Sequence, residues 1–345
     1  MKIIFCRHHS ICEPGILKSL TRLGHEVVEF MHDREPQDYD KDYLLRLAAL
    51  LQQTPDAAAV LSVCFSPIIA RASKPFGIPY ISYTVDSPCS TLYSKTMEYP
   101  HNRLFLFDKL QLDKFGHRNP GNCFHTLLAC DIEHFDNVTV SDADMKKYGT
   151  AVSFVGSLYS EKNSYDNISD KLPAYMRGYV EGLCSAQKNV YGYNFIEDAI
   201  SDQWVSDFVS SVGFNPLPDD YEADLKGIIA DTYLNCRCTE LERKHTLDAV
   251  SRHFHVDLYT QSDSSMLPHV QNCGIADSER VMPKIFKCSK INLNMTLRSI
   301  KSGIPQRAFD IMGCGGVLMS NYQPELAEYF IPGEDLVLYD SVADL

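Results

Sequence analysis

Arg307 and Asp310 stand three residues apart within Ile291 to Asn321, a stretch that reads as strand, loop, helix, tight turn and strand. Ile291, Leu293 and Met295 alternate with Asn292 and Asn294 at the period of a strand, and Ser302-Gly303 before Pro305 signals a helix start. Ala308, Ile311 and Met312 make the buried helix face, which leaves Arg307 and Asp310 together on another. A carboxylate in that place can accept both hydroxyls of a ribose, and a guanidinium with helix-end amides suits a diphosphate. An ordinary helix with a surface ion pair fits the same spacing. Gly313, Gly315 and Gly316 stop the helix, since glycine alone enters left-handed backbone cheaply.

Other residues able to do chemistry sit where strands are expected to end. Arg7-His8-His9-Ser10 follows the first strand, and Asp86-Ser87-Pro88 follows Tyr80 to Val85, so Asp86 is a candidate general base with His8 and His9 as rivals. A turn-capping aspartate is the simpler reading of Asp86. Val152 to Val155 runs into Gly156-Ser157, whose amides can approach a phosphate closely, with Lys162 just beyond. The first strand lacks GxGxxG, so a dinucleotide cofactor is not expected.

The elements that must hold these residues alternate strand and helix. Strands are expected at Lys2 to Cys6, Glu26 to Phe30, Ala57 to Val63, Tyr80 to Val85, Arg103 to Phe107 and His125 to Ala129, with helices between them, which makes one doubly wound domain over residues 1–148. Asn137 to Tyr148 is polar and turn-rich and suits an interdomain linker. A second domain, 149–345, opens at Val152; a helical block over about 166–235, with expected helices at Tyr175 to Leu183, Trp204 to Val212 and Tyr221 to Leu234, interrupts its sheet. Thr239 to His253 continues as helix, His255 to Tyr259 as strand and Arg280 to Cys288 as helix. Ser341 with Asp344 resembles a capping box, so a C-terminal helix is expected to be cut short.

Composition narrows the partners. With 32 Lys and Arg against 45 Asp and Glu, the net charge of −13 argues against nucleic acid and anionic membranes as partners. No signal peptide or membrane span is readable, so a soluble, cytoplasmic protein is expected. The 12 cysteines lie scattered in apolar segments and are expected as reduced thiols. Cys236-Arg237-Cys238 with His245, His253 and His255 does not have zinc-finger spacing, and no metal is expected. In that compartment the sequons at Asn137, Asn167 and Asn294 are chance matches.

The run Arg307 to Gly316, with Asn294 before it and Glu325-Leu326, Phe330 and Gly333-Glu334 after it, resembles the signature of the CgeB-like (spore-maturation-protein-like) bacterial glycosyltransferases of the GT-B superfamily. Phe154 to Tyr159 resembles that family's entry into its donor domain, and Tyr83 to Pro88 with Phe105 to Asp108 its N-terminal domain. The resemblance implies an α/β GT-B fold, with two Rossmann-like domains facing a cleft. It also implies metal-independent transfer of a sugar from a nucleotide-sugar, UDP-sugar by default, to a glycan, protein or small-molecule acceptor. Residues 1–148 would bind the acceptor and 149–345 the donor, through Gly156, Ser157, Tyr159, Lys162, Asn294, Arg307, Asp310, Gly315 and Gly316. Asp310 stands where Glu is commoner, and Ser302 where many retaining relatives carry a second Glu, so the stereochemical outcome stays open. A nucleotide-sugar epimerase of the same fold and a non-catalytic nucleotide-sugar-binding protein are the competing readings.

Overall fold

The structure is a computed structural model that describes residues 1–33, 38–213, 221 and 224–345. The chain divides into two compact units, and of the described residues the first contains 1–127, 221 and 224, the second 128–213 and 225–345.

Unit 1 carries a parallel sheet of β1 (Lys2–Arg7), β2 (Glu26–Met31), β3 (Ala57–Val63), β4 (Tyr80–Thr84), β5 (Asn102–Leu106) and β6 (Cys123–His125), in the order β2-β1-β3-β4-β5-β6. The connecting helices are α1 (Glu13–Arg22), α2 (Lys41–Gln53), α3 (Pro67–Ser73) and α4 (Lys109–Phe115). Covered on both faces, the central strands read as continuous apolar runs, and Ile4, Phe5 and Val60 are wholly buried. Side chains set the helix starts: Asp40 accepts the Tyr43 amide, and Asp108 accepts those of Leu110 and Gln111. The last strand closes at His125, earlier than Ala129 as expected from sequence.

Unit 2 opens with α5 (Ile132–Asn137) and α6 (Asp142–Tyr148), then β7 (Val152–Val155). A helical block follows: α7 (Ala174–Gln187), α8 (Ile196–Ala199), α9 (Asp202–Val212), α10 (Leu225–Ile229) and, after one π-helical stretch at Ala230–Leu234, α11 (Asn235–Ser251). The expected helix from Tyr221 crosses residues 222 and 223, which lie outside the described residues. Met176, Val180, Trp204, Phe208 and Leu234 give this block its own core, so it folds as a packed insertion within the unit. The sheet then resumes with β8 (Val256–Tyr259) and β9 (Val270–Asn272), followed by α12 (Met282–Cys288), β10 (Ile291–Asn294), α13 (Gln306–Gly313), β11 (Leu318–Asn321), α14 (Pro324–Tyr329) and β12 (Val337–Tyr339). All its strands are parallel, in the order β12-β11-β10-β7-β8-β9.

Two expectations are corrected here. The stretch 137–148 is no open linker, because Ser141 and Asp144 form a capping box that starts α6. The unit boundary also falls after Leu127, well before Tyr148. The side chains of α12 explain the shift: Lys284 pairs with Asp144 at 2.9 Å, and Lys287 donates to the carbonyls of Phe135 and Val138, which docks α5 and α6 onto unit 2. Among the described residues no helix is long and apolar enough to cross a membrane.

Each sheet reverses strand order at one place. In unit 1 the chain leaves β1 toward β2 and returns to β1's other side at β3; in unit 2 it leaves β7 toward β8 and returns at β10. The carboxyl ends of these paired strands diverge into opposite connections and leave a crevice, where open α/β sheets bind ligands.

Candidate functional site

In unit 1 the loop after β1 is held by a residue the sequence reading passed over. Glu13, in the first turn of α1, is fully buried and accepts the backbone amides of His8 at 2.8 Å and His9 at 3.2 Å, and Nε of Arg7 at 3.2 Å. Arg7 also pairs with Glu29. The His8 ring lies 3.6 Å from the same carboxylate, while His9 is exposed and takes a left-handed φ of 68°. An acid in a helix's first turn is favoured by the helix dipole, and Glu13 before Pro14 was the available signal.

Asp86 is exposed beyond β4, two strands from β1 in the sheet, and its carboxylate accepts the Cys64 thiol at 3.3 Å. A hydrogen bond with Cys89, burial and the nearby Asp86 charge keep Cys64 in the thiol form. The crevice of unit 1 therefore offers an exposed carboxylate and one exposed imidazole on a loop braced from within.

In unit 2 the crevice lies between the segments after β7 and β10. The peptide joining Ser157 to Leu158 is fixed at both ends: Arg243 on α11 donates to the Ser157 carbonyl at 2.6 Å, and the Leu158 amide donates to Ser262 Oγ at 2.7 Å. The peptide joining Met295 to Thr296 is fixed likewise, by Arg243 at its carbonyl and by Asn321 Oδ1, 2.9 Å from the Thr296 amide. Tyr159 adopts a left-handed φ of 69°, and its amide donates to Ser157 Oγ. Lys162 places its ammonium 5.8 Å from the centre of the Tyr159 ring. Asn294 is buried and donates to Ser320 Oγ and Thr296 Oγ1, which ties β10's end to β11.

The structure thus brings Gly156, Ser157, Tyr159, Lys162 and Asn294 to one edge of this sheet. Gly315 and Gly316 do not join them. They follow the carboxyl end of α13 and precede β11, at the opposite edge, and their roles are structural. Gly315 has a φ of 73°, and a Cβ on Gly316 would stand 2.8 Å from both Phe286 O and Asn292 Nδ2. Their assignment to donor binding is corrected accordingly.

Arg307 and Asp310 also differ from expectation. Asp310 does not face outward: it is buried at 8% exposure, with Oδ1 accepting Gln306 at 2.9 Å and Oδ2 accepting Arg307 at 3.2 Å. Burial raises the Asp310 carboxyl above its usual range and lowers the Arg307 guanidinium below its own. Arginine stays protonated in proteins, so the two remain an ion pair with a poorly solvated acid. Arg307 further reaches Met282 Sδ on α12. Beside Ser302 a carboxylate is present after all, from a distant position: Glu325 on α14, itself buried, accepts Ser302 Oγ at 2.7 Å.

Residues 243–345 match the model of a family described as glycosyl transferase-like. In fold the chain is similar to Anabaena Alr3699/HepE solved in complex with UDP and glucose, with a TM-score of 0.50 and 10% identity, over 98% of this chain and 85% of that one. The same Anabaena protein in complex with UDP-glucose gives a TM-score of 0.48 at 10% identity, with the same coverage. No curated protein matches this chain in sequence. The expected α/β class of GT-B type, two Rossmann-like doubly wound domains with a helical insertion in the C-terminal half, is the fold observed in the two units.

Proposed function

We propose that the protein is a glycosyltransferase whose unit 2 binds a nucleotide-diphosphate sugar, a UDP-sugar by the default reading, and whose unit 1 binds the acceptor. One observation carries the reading: the family match covers β10, α13, β11 and α14, the elements on the β10 side of the unit 2 crevice. The crevice edge also supplies groups that suit a diphosphate, the Ser157 amide, the Lys162 ammonium and backbone fixed after β7 and β10, whereas the Gly156 and Leu158 amides already donate to Tyr259 O and Ser262 Oγ.

In the proposed reaction an acceptor hydroxyl attacks the anomeric carbon, the bond from that carbon to the diphosphate oxygen breaks, and UDP leaves with the electron pair. Asp86, with His8 or His9 as rivals, takes the hydroxyl proton. Arg307, Lys162 and the Ser157 amide meet the charge that grows on the leaving group, without an obligatory metal. Asp310 accepts the ribose hydroxyls by exchanging its Gln306 bond for the ligand. Hexosyl transfer, cytoplasmic location and a place among CgeB-like proteins belong to the same proposal.

A thermal-shift screen against UDP, dTDP, GDP, CDP and their sugar conjugates tests the donor site, because a ligand of the native state raises its midpoint. A selective rise with UDP or a UDP-sugar is expected, and Asp310→Ala should weaken that binding by about 1–3 kcal/mol through lost charge-assisted hydrogen bonds. Unchanged affinity in the variant removes Asp310 from the ribose site, and no rise with any nucleotide removes the donor reading. Asp86→Asn should leave nucleotide affinity intact and lower the rate of transfer by about 100-fold or more, the lower end of the range typical of a lost general base. A fully active Asp86→Asn enzyme would pass the role to His8 or His9.

A further inference from the structure

Arg243 is buried to 9% exposure on α11, and among the described residues it makes no ion pair. Its neighbour Glu242 is a buried carboxylate within reach of its field, but that carboxylate is already bonded to Arg298. The two terminal nitrogens of Arg243 hold the carbonyls of Ser157 and Met295, its guanidinium lies 4.9 Å from the Tyr159 ring centre and 5.5 Å from that of Phe154, and Nε is buried with no acceptor. Carbonyl and ring contacts offset part of the cost of removing this cation from water, but none of them neutralises it. Burial accordingly pushes the guanidinium below the usual arginine range.

A buried positive charge at the crevice of a parallel sheet, with no counter-charge of its own, is stabilised when an anion enters. The same residue joins the two segments that flank the crevice, one from β7 and one from β10. We propose that Arg243 is the positioning residue of a diphosphate site, holding both segments in place while its uncompensated charge favours the anion between them. The inference rests on the proposed donor reading only for the anion's identity as part of a nucleotide. Spacing along the chain gives no sign of it, because Arg243 lies 86 residues from Ser157 and 52 from Met295.

The test is calorimetric titration of the full chain and of Arg243→Gln and Arg243→Lys with inorganic pyrophosphate, UDP and uridine, with the thermal midpoint of each variant as a folding control. Arg243→Gln should bind pyrophosphate and UDP at least tenfold more weakly than the unaltered chain, with uridine affinity unchanged, and Arg243→Lys should recover part of the loss. Equal loss for uridine, UDP and pyrophosphate would show a merely structural residue and overturn the proposal. UDP binding that is the same in all three proteins overturns it too, and leaves the donor reading standing. Pyrophosphate binding that depends on Arg243 without any UDP binding supports the site and removes the nucleotide; binding of neither by the unaltered chain removes both. If neither variant folds, the Arg243 Nε–H resonance of the unaltered chain decides. It should move on adding pyrophosphate and stay put with uridine, and a resonance indifferent to pyrophosphate overturns the proposal.

Discussion

Glu242→Gln is expected to destabilise unit 2 by about 3–5 kcal/mol, the usual result of breaking a buried ion pair by removing one partner's charge. Glu242 and Arg298 are both nearly inaccessible and meet at 2.5 Å. Arg298 also donates to the carbonyls of Val190 and Lys188, and its backbone amide donates to Thr239 Oγ1, so this one guanidinium joins the end of β10 to α11 and to the chain after α7. Without Glu242 the cation stays in place, held by those carbonyls, and its charge is uncompensated. Urea denaturation followed by tryptophan fluorescence reads this directly, since Trp204 is the only tryptophan and packs in the core of the helical block. Adding Arg298→Met should recover part of the loss, though not all of it, because two carbonyls then lack donors. A loss below about 1 kcal/mol in the single variant would mean that the pair is hydrated and works as a surface ion pair does.

Glu13→Ala is expected to cost unit 1 about 2–4 kcal/mol, because hydrogen bonds to a buried charge contribute about 1.5–3 kcal/mol each and do not add fully. The carboxylate serves the His8 amide, the His9 amide and Arg7 Nε at once. Arg7 retains Glu29, whereas the two amides lose the carboxylate that accepts them, and the loop that presents His8 and His9 should lose its order. Hydrogen exchange of these two amides measures the effect. Both should exchange much faster in Glu13→Ala, with the Trp204 unfolding transition of unit 2 unchanged. Glu13→Gln, which keeps an acceptor oxygen, should fall between the variant and the unaltered chain. Protection that survives Glu13→Ala would show that other groups brace the loop.

The reach of the sequence can be judged from these same residues. Ile3-Ile4-Phe5-Cys6 and Ala59-Val60-Leu61 could be read as parallel strands, and Ile291 to Asn321 as strand, helix and strand, because those patterns arise from local periodicity and from burial on both sheet faces. The carboxyl ends of strands then followed, and with them Gly156, Ser157, Asn294 and Asp86 as site candidates. Local pattern failed at α6, where the capping residues Ser141 and Asp144 looked like a linker, and at Gly315 and Gly316, where motif membership hid their place at the far edge of the sheet.

Only the tertiary structure decided which side chains meet across many residues. Arg243 with Ser157 and Met295, Glu242 with Arg298, and Glu325 with Ser302 are partners because parallel strands bring distant segments side by side. Each element's propensity is a short-range property written in its own residues, so most strands among the described residues were legible in their order of appearance, β9 (Val270–Asn272) being one that was not. A buried charge finds its partner only once the sheet has closed around it, and no spacing along the chain records that choice.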